Sequence, residues 1–181
     1  DMLLYLGIPY NSNEGVDLAD HLMGFINQCG HNASRELAAL RGAFPLFEES
    51  IYKDEAPLRN GTVTTIAPTG TVSLMTQTTS GIEPVFMPVY KRRRKVNPND
   101  PDVHVDFTDE TGDSFEEFIV YHPKFMTWME TKGYDTTKRY TQEEIDAMVA
   151  ESPYNKATAN DIDWLKKVQM QGRIQKWVDH S

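Results

Sequence analysis

Between residues 13 and 41, apolar side chains return every three or four positions: Leu18, Leu22, Phe25, Ile26, Cys29, Ala33, Leu37 and Leu40. That spacing fits one face of an α-helix and no β-strand, so a helix of about eight turns must occupy this stretch. Ser12 or Asn13 can cap its start, and Gly42 can end it. On this reading Cys29 lies on the buried stripe as a small core residue rather than a nucleophile. His21 and His31 stand ten positions apart. Two metal ligands on one helix face stand three or four apart.

Around that helix the pattern predicts a mixed α/β fold, rich in helix, with a few mostly buried strands. Asp1 to Gly7 reads as the closing turns of a helix, with Gly7 just past its end and Pro9 beyond. Trp164 to His180 is helical in pattern, with Asn160 or Asp161 as its cap. A helix lacking its start and another lacking a closing glycine lead us to expect a segment of a longer protein, or a deliberately cut one. Residues 43–60 form an irregular connection containing Pro45 and Pro57. Thr62 to Ile66 is β-branched at every position and predicts a strand buried on both faces, as parallel strands are. Val85 to Val96, interrupted by Pro88, and Val103 to Phe107 are further strand candidates, and residues 106–113 read as an acidic surface loop. Helices are expected over Lys124 to Thr131 and from the capping box at Thr141-Gln142-Glu143-Glu144 to about Ala150. Trp128, Trp164 and Trp177 sit among apolar residues at helical spacing and read as packing.

Charge narrows the partners. Asp plus Glu number 27 against 18 Lys plus Arg, a net charge of −9, and such a surface repels nucleic acid. No apolar run reaches the ~18 residues of a membrane helix, and no secretory signal pattern opens the chain. One cysteine cannot form an internal disulfide or a multi-cysteine metal site, and it suits a reducing cytoplasm. The one basic run, Lys91 to Lys95, reads as a strand edge guarded by charge, with a nucleotide-steering patch as the alternative.

The chemical centre is the turn after the Thr62 to Ile66 segment: Ala67-Pro68-Thr69-Gly70-Thr71-Val72-Ser73. Pro68 has no N–H and ends strand pairing. Gly70 allows positive φ and a close approach of an anion to the backbone. Thr69, Thr71 and Ser73 add hydroxyls, and a short helix beginning near Thr71 would add free amides. This chemistry suits a nucleotide's phosphates, although the loop lacks the Gly-Lys-Ser/Thr of a Walker motif. An ordinary strand-to-helix turn is the alternative. A second turn, Thr78-Thr79-Ser80-Gly81-Ile82-Glu83-Pro84, comes next, with Glu83 extended before proline.

The run from Arg59 to Ser73, followed by Ser80-Gly81-Ile82-Glu83-Pro84-Val85-Phe86, resembles the catalytic subunit of ribonucleotide reductases, most closely the adenosylcobalamin-dependent class II form. Gly42 to Ser50 and Gln175 to Ser181 resemble the same family. The resemblance implies that residues 1–181 are part of a ten-stranded α/β barrel, with residues 97–118 and 133–158 as variable insertions. It implies a ribonucleoside-diphosphate reductase, an oxidoreductase that makes deoxyribonucleotides for DNA replication by thiyl-radical chemistry. Adenosylcobalamin would be its cofactor and a thioredoxin-type protein its reductant. Pro68, Thr69, Gly70, Thr71 and Val72 would hold the substrate diphosphate, largely through main-chain amides. The family's radical cysteine lies in an Asn-x-Cys-x-Glu motif that is absent here, so Cys29 inherits no redox role, and the segment alone, without the rest of its barrel, is expected to be inactive. Two alternatives stand beside this reading: a class I large subunit with a separate radical-generating subunit, and a non-enzymatic nucleotide-binding module.

Overall fold

The computed structural model describes residues 1–180. In chain order the helices are α1 (Met2–Tyr5), α2 (Asn13–Arg41), α3 (Gly70–Thr76), α4 (Pro123–Thr131), α5 (Gln142–Glu151) and α6 (Trp164–Gln175). The strands are β1 (Val89–Val96), β2 (Phe107–Thr108) and β3 (Ser114–Tyr121). They form one antiparallel sheet in the order β1-β3-β2.

The helix ends reflect local chemistry. Ser12 caps α2 by accepting the Gly15 N–H at 2.9 Å, and Gly42 ends it at φ 80°. The capping box at Thr141 and Glu144 is formed in full. The cap of α6 is Asp163, whose carboxylate accepts from Leu165 N–H, rather than Asn160 or Asp161. Thr158 takes the Asp161 carboxylate instead, through its hydroxyl at 2.5 Å.

Which face of α2 is buried differs from the expectation. Phe25, Ile26, Leu37 and Leu40 are exposed, Leu40 by 81%, and Cys29 is exposed with them. The helix instead turns a stripe of Val16, Asp20, Ser34 and Ala38 inward. Glycines let neighbours come close on that side: a Cβ at Gly30 would lie 3.2 Å from Val63 Cγ2, and one at Gly24 would lie 3.1 Å from the Trp177 ring. Asp20 gathers Trp177 Nε1 at 2.5 Å, Arg173 Nη1 at 3.0 Å and Lys176 Nζ at 2.8 Å, tying α6 and its C-terminal extension to α2. Polar bonding and close backbone approach therefore choose the packed face. No described residue covers Leu40 and its exposed apolar neighbours.

The Thr62 to Ile66 segment is extended but joins no ladder. Thr62 and Thr65 are exposed and only Thr64 is buried, so it is not a strand sandwiched on both faces within this chain. Its polar groups go elsewhere. Val63 N–H donates to Asp179 Oδ2 at 2.8 Å, and Thr64 Oγ1 donates to Trp177 O at 3.0 Å. Residues 177–180 thus take the place of a neighbouring strand.

The strands that do form are largely solvent-facing. β1 begins just after Pro88, consistent with proline's missing donor. β3, whose Glu116 and Glu117 disguise a strand in the sequence, is central to the sheet. The register sets Arg93 opposite Glu117 and Arg94 opposite Glu116, with side-chain contacts of 2.7 and 2.5 Å. Lys95 meets Asp113 at 2.6 Å, and Lys91 reaches Glu117 at 3.9 Å. Phe107 stacks on Phe115 at 5.1 Å, with the Arg93 guanidinium 4.5 Å over the Phe107 ring. Four of the five cations in the run are paired within their own sheet, as a charge-guarded edge strand requires. Residues 103–106 are not strand; β2 starts at Phe107.

Two apolar clusters hold these parts. Phe125 and Met129 of α4 pack with Ile145 and Met148 of α5, Tyr154 and Val85. Leu3, Val16, Met170 and Ile174 form the second cluster, with Ile66 and Ile82 packed against it. Trp128 joins the first at 5.4 Å from the Phe125 ring, whereas Trp164 is 69% exposed and is not a packing residue. Ile66 and Ile82 anchor the chain on either side of residues 67–81, so the second cluster is the floor on which that stretch stands.

Candidate functional site

The segment anchored at Ile66 leads into Ala67 and Pro68, and then into α3, which begins at Gly70. Residues 67–72 are all exposed. The first amides of any helix lack an intrahelical acceptor. Here Thr69, Gly70, Thr71 and Val72 donate their N–H groups to no acceptor among the described residues, and the first bonded amide is Ser73 N–H, to Thr69 O at 2.8 Å. Pro68 has no N–H to offer and shapes the turn.

The positive φ sits one residue earlier than the sequence implies. Thr69 is left-handed, at φ 49° and ψ 31°, while Gly70 is helical. A β-branched residue rarely adopts this conformation, and it must be held there by its surroundings. The holder is visible: Thr69 Oγ1 accepts the Gly81 N–H at 2.9 Å. A Cβ at Gly70 would meet nothing within 4 Å, so the space beside this turn is open.

The hydroxyls divide. Ser73 is buried and donates to Gly70 O at 2.8 Å, so it faces inward. Thr69 keeps its hydroxyl hydrogen free while its oxygen accepts from Gly81, and Thr71 is exposed. The loop therefore offers four amides and two hydroxyls on one exposed turn, a donor-rich surface suited to a phosphate group.

The second turn is tied down separately. Tyr10 donates its hydroxyl to Ile82 O at 2.9 Å, and burial, helped by the Glu83 charge, raises that phenol above its ordinary pKa. Glu83 N–H donates to Ser80 O at 3.2 Å. Its carboxylate forms no hydrogen bond or ion pair among the described residues and acts on Tyr10 through its charge. Asp1, with its side chain 4% exposed, accepts the Thr79 N–H on Oδ2 at 2.7 Å. Its Oδ1 lies 2.9 Å from His122 Nε2 and 3.3 Å from the Tyr154 hydroxyl.

On the other flank Asp179 plays the matching part. Oδ2 accepts from Val63 N–H and lies 3.0 Å from His31 Nε2, while Oδ1 accepts from Asn27 Nδ2 at 2.9 Å. Burial pushes this carboxyl up, but the bonds from Val63, His31 and Asn27 outweigh it and hold it below the usual carboxylate value. The last helix ends at Gln175, short of the expected His180, so Asp179 lies in an irregular tail; the histidine that meets it is His31, which sequence reasoning missed. The available signal was the spacing of Asn27, His31 and Ser34, a polar stripe at helical intervals on α2. Among the described residues no group of His, Cys, Asp and Glu could hold a metal ion.

The family model described as ribonucleotide reductase, barrel domain, matches residues 1–57 and 53–181. The chain belongs to that family. The vitamin B12-dependent ribonucleoside-diphosphate reductase of Mycobacterium tuberculosis is 52% identical over 92 residues, covering 51% of this chain and 13% of the relative. The protein of the same name from Thermoplasma acidophilum is 35% identical over 181 residues, covering 99% of this chain and 22% of that one. The chain thus spans under a quarter of the length of these relatives. Among solved structures, the Actinobacillus ureae class Id ribonucleotide reductase alpha subunit matches 98% of this chain and 29% of its own, with a TM-score of 0.61 at 17% identity. That last likeness speaks to the fold alone, and it agrees with the expected α/β barrel.

Proposed function

We propose that this chain is the part of a vitamin B12-dependent ribonucleoside-diphosphate reductase that grips the substrate's diphosphate. Pro68 shapes the loop, and Thr69, Gly70, Thr71 and Val72 supply the amides. One observation carries the reading: in a chain of this family, four consecutive amides stand exposed and without an acceptor among the described residues, on a loop tethered through Thr69 and Gly81. Fixing the diphosphate brings the ribose into register with a radical centre elsewhere in the barrel, which is the positioning such chemistry requires. Hydrogen abstraction from the sugar by a thiyl radical, and re-reduction by a thioredoxin-type dithiol, belong to residues other than these. Cys29, exposed on α2, has no part in either.

Adenosylcobalamin would supply the radical in this reading. None of the described residues is assigned to hold it, and the chain spans under a quarter of its relatives' length.

The test is nucleotide reduction by the intact protein, given a ribonucleoside diphosphate, a dithiol reductant and adenosylcobalamin. Deoxynucleotide is expected only when the cobalamin is present. The Gly70→Val variant should raise KM for the diphosphate, because it puts a branched side chain on the open turn that offers the amides. The 181-residue chain alone should reduce nothing. Reduction that ignores adenosylcobalamin and requires a separate radical-generating subunit would replace this reading with the class I one.

A further inference from the structure

The two flanks of the loop are braced in the same way, although their residues come from distant parts of the chain. Ahead of the loop, Asp179 accepts the Val63 N–H at 2.8 Å and is paired with His31 at 3.0 Å. After the loop, Asp1 accepts the Thr79 N–H at 2.7 Å and is paired with His122 at 2.9 Å. All four side chains are largely buried, with exposures of 8% for Asp179, 13% for His31, 4% for Asp1 and 14% for His122. In each case one carboxylate oxygen holds a main-chain amide of the loop's flank. Further donors, Asn27 on one side and Tyr154 on the other, fix the carboxylate.

We propose that Asp179 and Asp1, each oriented by its histidine, are positioning residues that set the geometry of the 68–72 loop for a nucleoside diphosphate. This inference rests on the loop's being the diphosphate site.

Geometry argues for it over a purely structural role. A buried carboxylate is costly unless every oxygen is used, and an apolar pair would fill the same space with less desolvation. What the carboxylates provide that an apolar pair does not is a directional hold on a single amide. They hold amides at Val63 and Thr79, outside the loop, so the loop's own amides stay free. Val63 lies in the extended approach, which joins no ladder, so its register rests on bonds to residues 177–180, that of Asp179 among them. Thr79 lies two residues before Gly81, whose N–H holds the left-handed Thr69. Releasing either brace would let the four amides diverge. The loop would then lose its fit to two linked phosphates while the apolar clusters beneath stay packed.

The experiment uses the intact protein and two probes: a ribonucleoside diphosphate and the corresponding nucleoside. Binding is read by calorimetry for the wild type and for Gly70→Val, Asp179→Asn, Asp1→Asn, His31→Ala and His31→Gln. Asparagine keeps the shape of each aspartate but loses its charge and one of its two acceptor oxygens. Affinity for the diphosphate should fall about 10-fold in each aspartate variant, while nucleoside affinity holds within about 2-fold, on the scale of a lost hydrogen bond to a charged group. His31→Ala should behave like Asp179→Asn, and His31→Gln, whose amide can still donate, should recover most of the loss. Equal loss for both probes, with a lowered melting temperature, would mean the braces only stabilise the fold and would overturn the proposal. So would aspartate variants with unchanged diphosphate affinity beside a weakened Gly70→Val. If Gly70→Val itself binds diphosphate normally, the loop is not the diphosphate site and this proposal falls with it.

Discussion

Gly30 of α2 faces Val63 so closely that a Cβ at Gly30 would stand 3.2 Å from Val63 Cγ2. Glycine inside a helix costs roughly 0.5–1 kcal/mol against alanine, so its presence here reflects the approach of the segment that leads to the loop. Gly24 admits the Trp177 ring in the same manner at 3.1 Å, and that ring is further pinned by its bond to Asp20.

Gly24→Ala should therefore destabilise more than Gly30→Ala. Overpacking costs about 1–3 kcal/mol, offset in part by the better helix propensity of alanine. We expect a net loss of about 1–2 kcal/mol at Gly24 and a smaller one at Gly30, where an aliphatic side chain can give way. Urea unfolding of the intact protein checks this through a lowered midpoint at unchanged slope.

The sheet's charge pairs should contribute little. Arg94 and Glu116 are in register, but the arginine side chain is 62% exposed, and exposed pairs are worth about 0–1 kcal/mol. A double-mutant cycle on Arg94→Ala and Glu116→Ala should give a coupling within that range, shrinking as salt is added. Because Lys91, Arg93, Arg94 and Lys95 are neutralised at home, no saturable binding of duplex DNA is expected at physiological salt. Fluorescence anisotropy with a labelled duplex checks it.

Acid should weaken the fold in two windows. His122 is lowered from its ordinary 6.5 to about 4, chiefly by burial. Between those values the unfolded chain binds a proton that the folded chain refuses, so stability falls as pH drops from about 6.5 toward 4. Asp179 is held below its ordinary 3.8, so its contribution is full above that value and disappears as pH falls further. Thermal melting across a pH series from neutral down through both windows should show the first decline blunted in His122→Gln and the second blunted in Asp179→Asn.

Removing the Thr69 hydroxyl should loosen the loop. Thr69→Val loses the bond to Gly81 N–H, a neutral hydrogen bond of about 0.5–1.5 kcal/mol, and forces a branched side chain to remain left-handed without its anchor. Diphosphate affinity should drop about 2- to 10-fold in calorimetry on the same scale.

Much of the chain is legible where local chemistry decides the outcome. The capping box at Thr141 and the end of α2 at Gly42 depend on neighbours in sequence and stand where the residues predict, and α4 starts at Pro123, one residue before the expected Lys124. The face of α2 is not legible. Hydrophobicity favours Leu22, Phe25 and Leu40, yet bonds from Asp20, Asn27, His31 and Ser34 to distant segments choose the packed side. β3 is hidden for a related reason: Glu116 and Glu117 look like loop residues until the arginines across the sheet are known. At the loop, Pro68 to Val72 can be picked out as phosphate-binding chemistry. That Thr69 rather than Gly70 takes the strained backbone cannot, because the strain is imposed by Gly81, twelve residues away.

The left-handed threonine also sets a narrow rule for sequence drift at its position. Asparagine or glycine would sit comfortably in that conformation but give up the hydroxyl, while valine or isoleucine would give up both comfort and tether. Serine alone eases the branch point and keeps the oxygen that Gly81 needs. Natural variation at residue 69 should accordingly be confined to the two small hydroxyl amino acids, a pattern that a collection of related sequences can reveal without any assay.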